Sequence, residues 1–238
     1  MTWKDNLTVV LVESRNPLNI GAAARAMLNF GFRRMALASP YEAAFREARS
    51  AVGAASVLEK ARVGKSLEEA MGEATLVVGT GTRGGRVRRQ PRYLLPEAAS
   101  RLRAHLESGP AALLFGPEKH GLSNEHLSRC HWILEIPTQP ECPSMNLGQA
   151  VAVCCWELAR AKPRRAARRR RRKPPAAQLE RIAERLAGAL DSSGYIPERT
   201  RASQEQKIRR LVRRLELDSR DAQVVEGMLR QIGWKLGV

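Results

Sequence analysis

The stretch "LTVVLVESRNPLNIGAAARAMLNFG", residues 7–31, opens with an unbroken apolar run and continues into a run of small residues. A continuous apolar run rich in β-branched residues predicts a strand that is covered on both faces. The segment "NIGAAARAMLNFG" predicts a helix that stops at Gly31. Two polar residues stand out in this helix, Asn19 at its beginning and Arg25 among the alanines. Close packing of the helix does not account for either residue.

The alternation of strand and helix continues to about residue 160. Further strands are predicted in "RMALASP", "ATLVVGTGT", "PAALLFGPE" and "WILEIP". Helices are predicted near 41–51 and 66–72, and in "PEAASRLRAHLES", "NEHLSRC" and "NLGQAVAVCCWELARA". This order predicts an α/β fold with a mostly parallel sheet.

Positive charge is concentrated towards the end of the chain. The net charge of +17 divides into +5 over residues 1–160 and +12 over residues 161–238. Residues 162–175, "KPRRAARRRRRKPP", hold nine Lys or Arg in 14 positions, which predicts an exposed linker. Helical spacing resumes after it. We therefore divide the chain into an α/β domain at 1–161, a linker at 162–175 and a basic helical extension at 176–238. The charge indicates a nucleic-acid partner.

The beginning of the chain and its apolar runs bear on its compartment. No apolar run approaches the ~20 residues that span a bilayer. The N-terminal "MTWKDNLTVVLVES" lacks the pattern of a signal peptide. We therefore expect a cytoplasmic protein with no membrane partner.

The cysteines Cys130, Cys142, Cys154 and Cys155 form no C-x-x-C pair. We expect reduced and mostly buried thiols. A zinc site of Cys130, His131 and Cys142 is the alternative, but these residues have no recognised ligand spacing, and we assign no metal. His120, His126 and His131 are expected to lie in loops or on helix surfaces rather than to act in catalysis.

Three predicted strands end in loops of small or special residues: "GTGTRGG" (79–85), "FGPEKHGL" (115–122) and "IPTQPECPSMNLG" (136–148). Ligands of open α/β sheets bind beyond the carboxyl ends of strands, so these loops indicate a nucleotide-like small molecule. The common signatures are absent: the sequence has no P-loop and no G-x-G-x-x-G after its first strand. It also has no G-x-S-x-G elbow and no H-E-x-x-H.

Three segments carry a family resemblance. "VESRNPLNIGAAARAMLNFG", "FGPEKHGLSNEHLSRC" and "IPTQPECPSMNLGQAVAVCCWEL" resemble motifs 1, 2 and 3 of the TrmH-like RNA 2′-O-methyltransferases of the SPOUT superfamily. Within that group the sequence is most similar to the TrmJ type, which methylates the ribose of nucleotide 32 in the tRNA anticodon loop. The helical tail is more loosely similar to the tail of that type.

The resemblance implies features that periodicity does not predict. The SPOUT fold has a deep trefoil knot in the C-terminal part of its α/β domain, binds S-adenosyl-L-methionine and forms a homodimer with each active site built across the interface. Knots are rare enough that connection rules alone argue against one. The uncharged helix "NLGQAVAVCCWEL" suits a dimer interface, and burial in a core explains it equally well.

The resemblance also assigns residues. Asn19 and Arg25 of motif 1, Glu118 of motif 2, and Ser144 and Asn146 of motif 3 match the catalytic positions in type and spacing. The cofactor is expected to lie against the backbone of Thr80, Gly81, Thr82, Gly116, Ile136, Pro143, Ser144 and Met145. Pro143 departs from the family pattern and has no N–H to donate.

Simpler roles remain open for each catalytic position. Asn19 is alternatively a helix cap, Ser144 and Asn146 turn or cap residues, Glu118 a surface loop residue, and Arg25 a surface ion-pair partner. The alternatives at the level of function are a same-fold enzyme acting on rRNA or on another tRNA position, and a non-catalytic RNA-binding protein.

Overall fold

The structure is a computed structural model that describes residues 2–49, 53–81, 90–162 and 172–237. Within these residues seven strands form one sheet: β1 (Leu7–Val12), β2 (Arg34–Ala38), β3 (Arg62–Gly64), β4 (Leu76–Gly81), β5 (Arg92–Leu94), β6 (Ala111–Phe115) and β7 (Trp132–Glu135). Their order across the sheet is β3-β2-β1-β6-β4-β7-β5, and each neighbouring pair is parallel.

The helices lie between the strands and after them. The described residues contain α1 (Pro17–Asn29), α2 (Glu42–Arg49), α3 (Ala55–Leu58), α4 (Leu67–Met71), α5 (Leu95–Leu106), α6 (Asn124–Ser128), α7 (Leu147–Arg160), α8 (Ala176–Ser192), α9 (Arg201–Arg214) and α10 (Ser219–Leu236). Short 3-10 helices occupy Trp3–Asn6 and Glu198–Thr200. None of these helices is long and apolar enough to cross a membrane.

Both faces of the sheet are buried, as the unbroken apolar run of β1 predicts. Leu7, Val9 and Leu11 belong to one hydrophobic cluster, and Val10 and Val12 belong to another on the opposite face. Alternate residues of a strand point to opposite faces, so a strand buried on both sides needs apolar residues at every position. The predicted parallel α/β sheet is confirmed. The short strands β3 and β5 were not predicted.

Helices α1 and α7 pack against each other over the first of these clusters, which contains Ile20, Ala23 and Met27 of α1 and Val151 of α7. A Cβ atom built on Gly148 would lie 2.7 Å from the Cβ of Ala22. The two helices therefore approach closely, because α7 has no side chain where it meets an alanine of α1.

Helices α8, α9 and α10 share a hydrophobic cluster that includes Leu179, Ile208, Val212 and Leu229. They also contact the α/β part. Ala176 is fully buried in the second cluster of the sheet, and its N–H donates to the carbonyl of Ala74 at 2.7 Å. Most of the predicted linker, residues 163–171, lies outside the described residues.

A buried ionic cluster joins α9 and α8 to α6 and α4. The carboxylate of Glu180, 2% exposed, is paired with Arg209 and with the Nη2 of Arg213 at 3.3 Å. Arg213 donates from Nε to the carbonyl of Arg129 at 2.6 Å, and Arg129 is paired with Glu68. Burial lowers the pKa of Arg213, and the adjacent Glu180 opposes that shift. The helices were predicted to be basic on their exposed faces, yet Arg210 and Arg213 are buried.

Candidate active site

The three motifs meet at one edge of the sheet. Strands β1, β6, β4 and β7 are consecutive neighbours and parallel, so their carboxyl ends lie along the same edge. Motif 1 follows β1, motif 2 follows β6 and motif 3 follows β7. Segments far apart in the chain are thereby brought together at the edge where α/β sheets bind their ligands.

A chain of hydrogen bonds connects the motifs. The Nδ2 of Asn146 donates to the Oδ1 of Asn19 at 2.8 Å, and the Nδ2 of Asn19 donates to the Oε1 of Glu118 at 3.1 Å. The Oδ1 of Asn146 accepts from the backbone N–H groups of Gly148 at 2.9 Å and Gln149 at 3.4 Å. Since those backbone groups only donate, they determine the orientation of both amides. Both asparagines therefore point their N–H donors along one direction, towards the Glu118 carboxylate.

Asn19 is not the cap of its helix. The N-cap is Asn16, whose side chain accepts from the N–H of Leu18, and Pro17 occupies the first helical position. Asn19 lies in the first turn, 8% exposed, and faces Glu118 and Asn146. The alternative role as a cap is therefore wrong for Asn19.

Asn146 has both of the roles that the sequence left open. It is the N-cap of α7 through its Oδ1 and the hydrogen-bond partner of Asn19 through its Nδ2. Its position at the end of the motif 3 loop anchors that loop to α1. Asn146 is therefore part of the candidate site as well as the cap of α7.

Arg25 lies on the exposed side of α1, away from this cluster. Six residues separate it from Asn19, which is a rise of about 9 Å and nearly two turns of helix. Within the described part of the chain no hydrogen bond or ion pair to its guanidinium is found, so the surface ion-pair alternative has no partner there. The charge is available to another molecule.

Ser144 is exposed in the motif 3 loop and is not joined to Asn19 or Glu118 by a hydrogen bond within the described residues. The loop closes on itself: the Thr138 hydroxyl donates to the carbonyl of Pro143 at 3.1 Å, and the N–H of Cys142 donates to the carbonyl of Gln139 at 3.1 Å. The structure thus brings together three of the five predicted catalytic residues and leaves Arg25 and Ser144 apart.

The predicted cofactor positions lie where buried strands emerge at the carboxyl edge. Val78, Leu114 and Leu134 are fully buried, whereas the half-buried Gly81, Gly116 and Ile136 lie just beyond them. Pro143 and Ser144 are exposed and Met145 is half-buried. The glycines at the ends of β4 and β6 leave backbone within reach of a ligand at this edge, as the binding of a nucleoside such as S-adenosylmethionine would require.

Thr80 and Gly116 have structural roles at this edge. The hydroxyl of Thr80 donates to the carbonyl of Leu114 at 2.9 Å, so it serves to join β4 to β6. A Cβ on Gly116 would lie 2.2 Å from the backbone of Gly121 and Leu122, so glycine is required there for the motif 2 loop to close. Thr82 lies outside the described residues.

One buried charge at this edge was not predicted from the sequence. Glu135, the last residue of β7, is 7% exposed and is paired with Arg92 of β5 at 3.5 Å. A glutamate inside the apolar run "WILEIP" was the available signal. The pair connects the edge strand β5, which the sequence analysis also missed, to the strand that leads into motif 3.

Two of the histidines and three of the cysteines have structural positions. The Nδ1 of His131 accepts from the N–H of Val77 at 3.0 Å, and burial lowers the pKa of its imidazole to about 3. His126 completes the capping of α6 with Ser123. Cys130, Cys154 and Cys155 are buried, as predicted, and Cys142 is exposed. No three His, Cys, Asp or Glu residues of the described part of the chain are grouped to hold a metal.

Comparison with known proteins identifies relatives over nearly the whole chain. Residues 6–156 match the model of the SpoU rRNA Methylase family. The tRNA (cytidine/uridine-2'-O-)-methyltransferase TrmJ of Yersinia pestis (strain Pestoides F) is 33% identical over 235 residues, which cover 95% of this chain and 91% of the relative. The tRNA (cytidine/uridine/adenosine-2'-O-)-methyltransferase TrmJ of Pseudomonas aeruginosa is 35% identical over 244 residues, with 95% and 93% covered. The crystal structure of TrmJ from Z. mobilis ZM4 superposes with a TM-score of 0.83 at 29% identity, covering 94% of this chain and 98% of that one.

Proposed function

The chain belongs to the SpoU rRNA methylase family, and on this premise we propose that it methylates a ribose 2′-hydroxyl of tRNA, at nucleotide 32 of the anticodon loop, with S-adenosylmethionine as methyl donor. The observation that carries the proposal is the hydrogen-bond chain from Asn146 through Asn19 to Glu118, which joins the three motifs at the ligand-binding edge of the sheet. Relatives named as tRNA 2′-O-methyltransferases match both the α/β part and the helices after it.

Residues at the strand ends would hold the cofactor. Gly81, Gly116 and Ile136 would offer backbone to it, together with Pro143, Ser144 and Met145 of the motif 3 loop. When bound, S-adenosylmethionine supplies an electrophilic methyl group on a sulfonium. Within the described residues Glu118 is bonded through Oε1 alone. Its Oε2 is therefore available to accept a hydrogen bond from a ligand, and the Asn19 amide holds the carboxylate in place for that bond.

We assign Arg25 to the RNA. A ribose hydroxyl is a very weak acid and therefore a poor nucleophile. Methyl transfer to it requires that the hydroxyl be positioned and that the negative charge developing on its oxygen be stabilised. A guanidinium keeps its proton in proteins, which makes it a poor base and a good partner for phosphate. Arg25 would hold the phosphate next to the target ribose and stabilise the forming alkoxide, while the proton leaves to phosphate or water.

A homodimer would complete this site. Arg25 faces away from the Asn19 cluster of its own chain, so it would act with the cofactor loop of a second copy. The outward side of α7 supports such a contact, because Ala152 and Val153 are half-buried and Trp156 is 50% exposed. At the start of α1, Leu18 is 78% exposed. Exposed apolar groups on two neighbouring helices favour contact with a partner.

The order of the strands bears on the path of the chain. Strand β7 lies between β4 and β5, which are consecutive in the chain, and this order is compatible with a trefoil knot. Pulling on the two termini of a knotted chain would give an extended length shorter than the full contour by the residues held in the knot. The basic helices α8–α10 would bind tRNA as an extension of the site, and an enzyme acting on tRNA would belong in the cytoplasm.

Methyl transfer to defined RNAs tests the function. Purified protein is incubated with S-adenosylmethionine carrying a tritiated methyl group and unmodified tRNA, and the labelled nucleotide is mapped by nuclease digestion and mass spectrometry. Label on the ribose of nucleotide 32 is the expected result. Label at another tRNA position, or on rRNA supplied in parallel, would assign the enzyme to a different target. Absence of label on every RNA would favour a non-catalytic RNA-binding protein.

A further inference from the structure

Helix α10 has an apolar face that nothing in the described part of its own chain covers. Its inner side packs on α8 through Ala222 and Leu229, which are buried. On the other side Val224, Met228 and Ile232 are 57%, 60% and 46% exposed. A spacing of four residues places the three side chains one above the other along the helix. They form a stripe of large apolar groups on an otherwise strongly charged part of the chain.

The charges at the two ends of this stripe complement each other. Asp221 and Lys235 are both exposed, and each lies seven residues, or two turns, from Met228. Both therefore project on the same face as Met228, the acid near the beginning of the helix and the base near its end. Along the helix this face presents one acidic residue, three apolar residues and one basic residue.

We propose that this face is a contact between two copies of the chain, packed antiparallel about a twofold axis at Met228. In that arrangement Met228 meets its own copy, and Val224 lies opposite Ile232 of the partner subunit. Asp221 lies opposite Lys235 of the partner subunit, and the twofold axis makes each of these pairs twice. A parallel arrangement would place Asp221 against Asp221 and Lys235 against Lys235, which is unfavourable.

A single pair of helices covers less than the ~800 Å² per partner of a standard interface, so the contact by itself is expected to be weak. It does not depend on methyl transfer, and it is separate from the surface of α1 and α7.

Cross-linking of the full-length chain tests the geometry. In a Cys142→Ser background, which removes the exposed native thiol, Met228→Cys should be joined to its own copy by a short bis-maleimide in high yield. Gln223→Cys is the matched control, since Gln223 is also exposed on α10 but projects roughly 140° away. Equal yields for the two variants would overturn the proposal.

Charge exchange tests the pairing. In the Met228→Cys/Cys142→Ser background, Asp221→Lys should lower the yield of the cross-link several-fold, and Asp221→Lys/Lys235→Asp should restore it. Circular dichroism confirms that each variant is folded, and methyl transfer is measured on the same samples so that loss of the proposed enzyme function is recognised separately. If the double variant associates as weakly as the single one, the antiparallel contact is wrong and the stripe serves another ligand.

Discussion

Replacement of Arg25 by lysine separates the effect of its positive charge from the effect of its planar geometry. We expect Arg25→Lys to keep tRNA binding within a few-fold and to lower the rate of methyl transfer about 100-fold, because lysine retains the charge but loses the fork that we propose holds phosphate and alkoxide together. Single-turnover rates and filter binding measure the two effects. Arg33→Lys, on another exposed arginine before β2, is the control. An unchanged rate in Arg25→Lys would remove both roles assigned to the guanidinium.

Asn19 tests the hydrogen-bond chain. In Asn19→Asp a second carboxylate would replace the Nδ2 donor that now lies 3.1 Å from the Oε1 of Glu118. Loss of a buried donor and the new repulsion should lower the free energy of unfolding by about 1–3 kcal/mol and weaken cofactor binding. Urea unfolding and calorimetry measure these quantities. Asn29→Asp, exposed at the end of the same helix, should cost less than about 1 kcal/mol through the helix dipole and leave cofactor binding unchanged, and equal behaviour of the two variants would contradict the assignment.

The imidazole of His131 is expected to make the free energy of unfolding depend on pH. Its imidazole has a pKa lowered by burial from 6.5 to about 3, so between these values the unfolded chain binds a proton that the folded chain does not. The contribution of His131 is therefore complete above pH 6.5 and is lost as the pH falls towards 3, by at most about 1.4 kcal/mol per pH unit. His131→Asn should make the fall in unfolding free energy between pH 6 and 4 less steep. His120→Gln, on an exposed loop residue, should leave it unchanged.

At this scale the residue types of the site were predictable and their contacts were not. Asn146 shows why: sequence offered a cap or a site residue as alternatives, whereas its two amide atoms perform both roles. Asn19 and Asn16 are both plausible caps by type, and only the start of α1 decides between them. Contacts between Asn19, Glu118 and Asn146 depend on the order of strands in the sheet, which no local pattern contains.

Among the elements, the crossing of α1 and α7 is the most sensitive to a small change. Gly148→Ala places a Cβ 2.7 Å from that of Ala22, so we expect a loss of about 1–3 kcal/mol in the free energy of unfolding. Adding Ala22→Gly removes the opposing atom and should recover part of the loss, apart from about 1 kcal/mol of helix propensity. Gly188→Ala in α8, where a Cβ meets nothing within 4 Å, should be neutral or stabilising. Identical losses at Gly148 and Gly188 would contradict the close crossing.

Strand length explains which elements the sequence predicted. The five predicted strands have apolar runs that bury both faces, as in β1 and β6. The missed strands β3 and β5 have three residues each and present Arg62 and Arg92 where an apolar residue would be expected. At an edge of the sheet, or near it, a strand needs backbone partners more than buried side chains, so its sequence resembles that of a loop.

For the whole molecule, the ionic cluster decides how the helical extension is held. Glu68, Arg129, Glu180 and Arg213 come from four different helices or their ends, and each fits an ordinary polar position in its own sequence. Their convergence depends on tertiary packing and could not be predicted. Removing one member of a buried charge cluster typically costs about 3–5 kcal/mol, because the remaining charge is left without compensation.

This ionic cluster changes what removal of the extension would measure. Deleting residues 162–238 takes away Glu180 and Arg213 and uncovers the site of Ala176, so the α/β part should lose stability as well as tRNA affinity. The truncated chain alone therefore does not separate RNA binding from folding. Neutralising exposed charges does: Lys207, Arg214 and Arg220 lie on the surface of α9 and α10 and take no part in the ionic cluster.

We expect Lys207→Gln/Arg214→Gln/Arg220→Gln to weaken tRNA binding and to reduce the slope of log K against log salt by about 1 for each phosphate that the variant no longer neutralises. Its unfolding free energy and its affinity for S-adenosylmethionine should equal those of the unaltered chain, because none of the three residues belongs to the motifs at the carboxyl edge of the sheet. The control for net charge is Glu59→Gln/Glu73→Gln, which removes two exposed negative charges from the α/β part. If the triple variant binds tRNA with an unchanged salt slope, the phosphates are bound elsewhere, and the extension serves the fold and not the RNA.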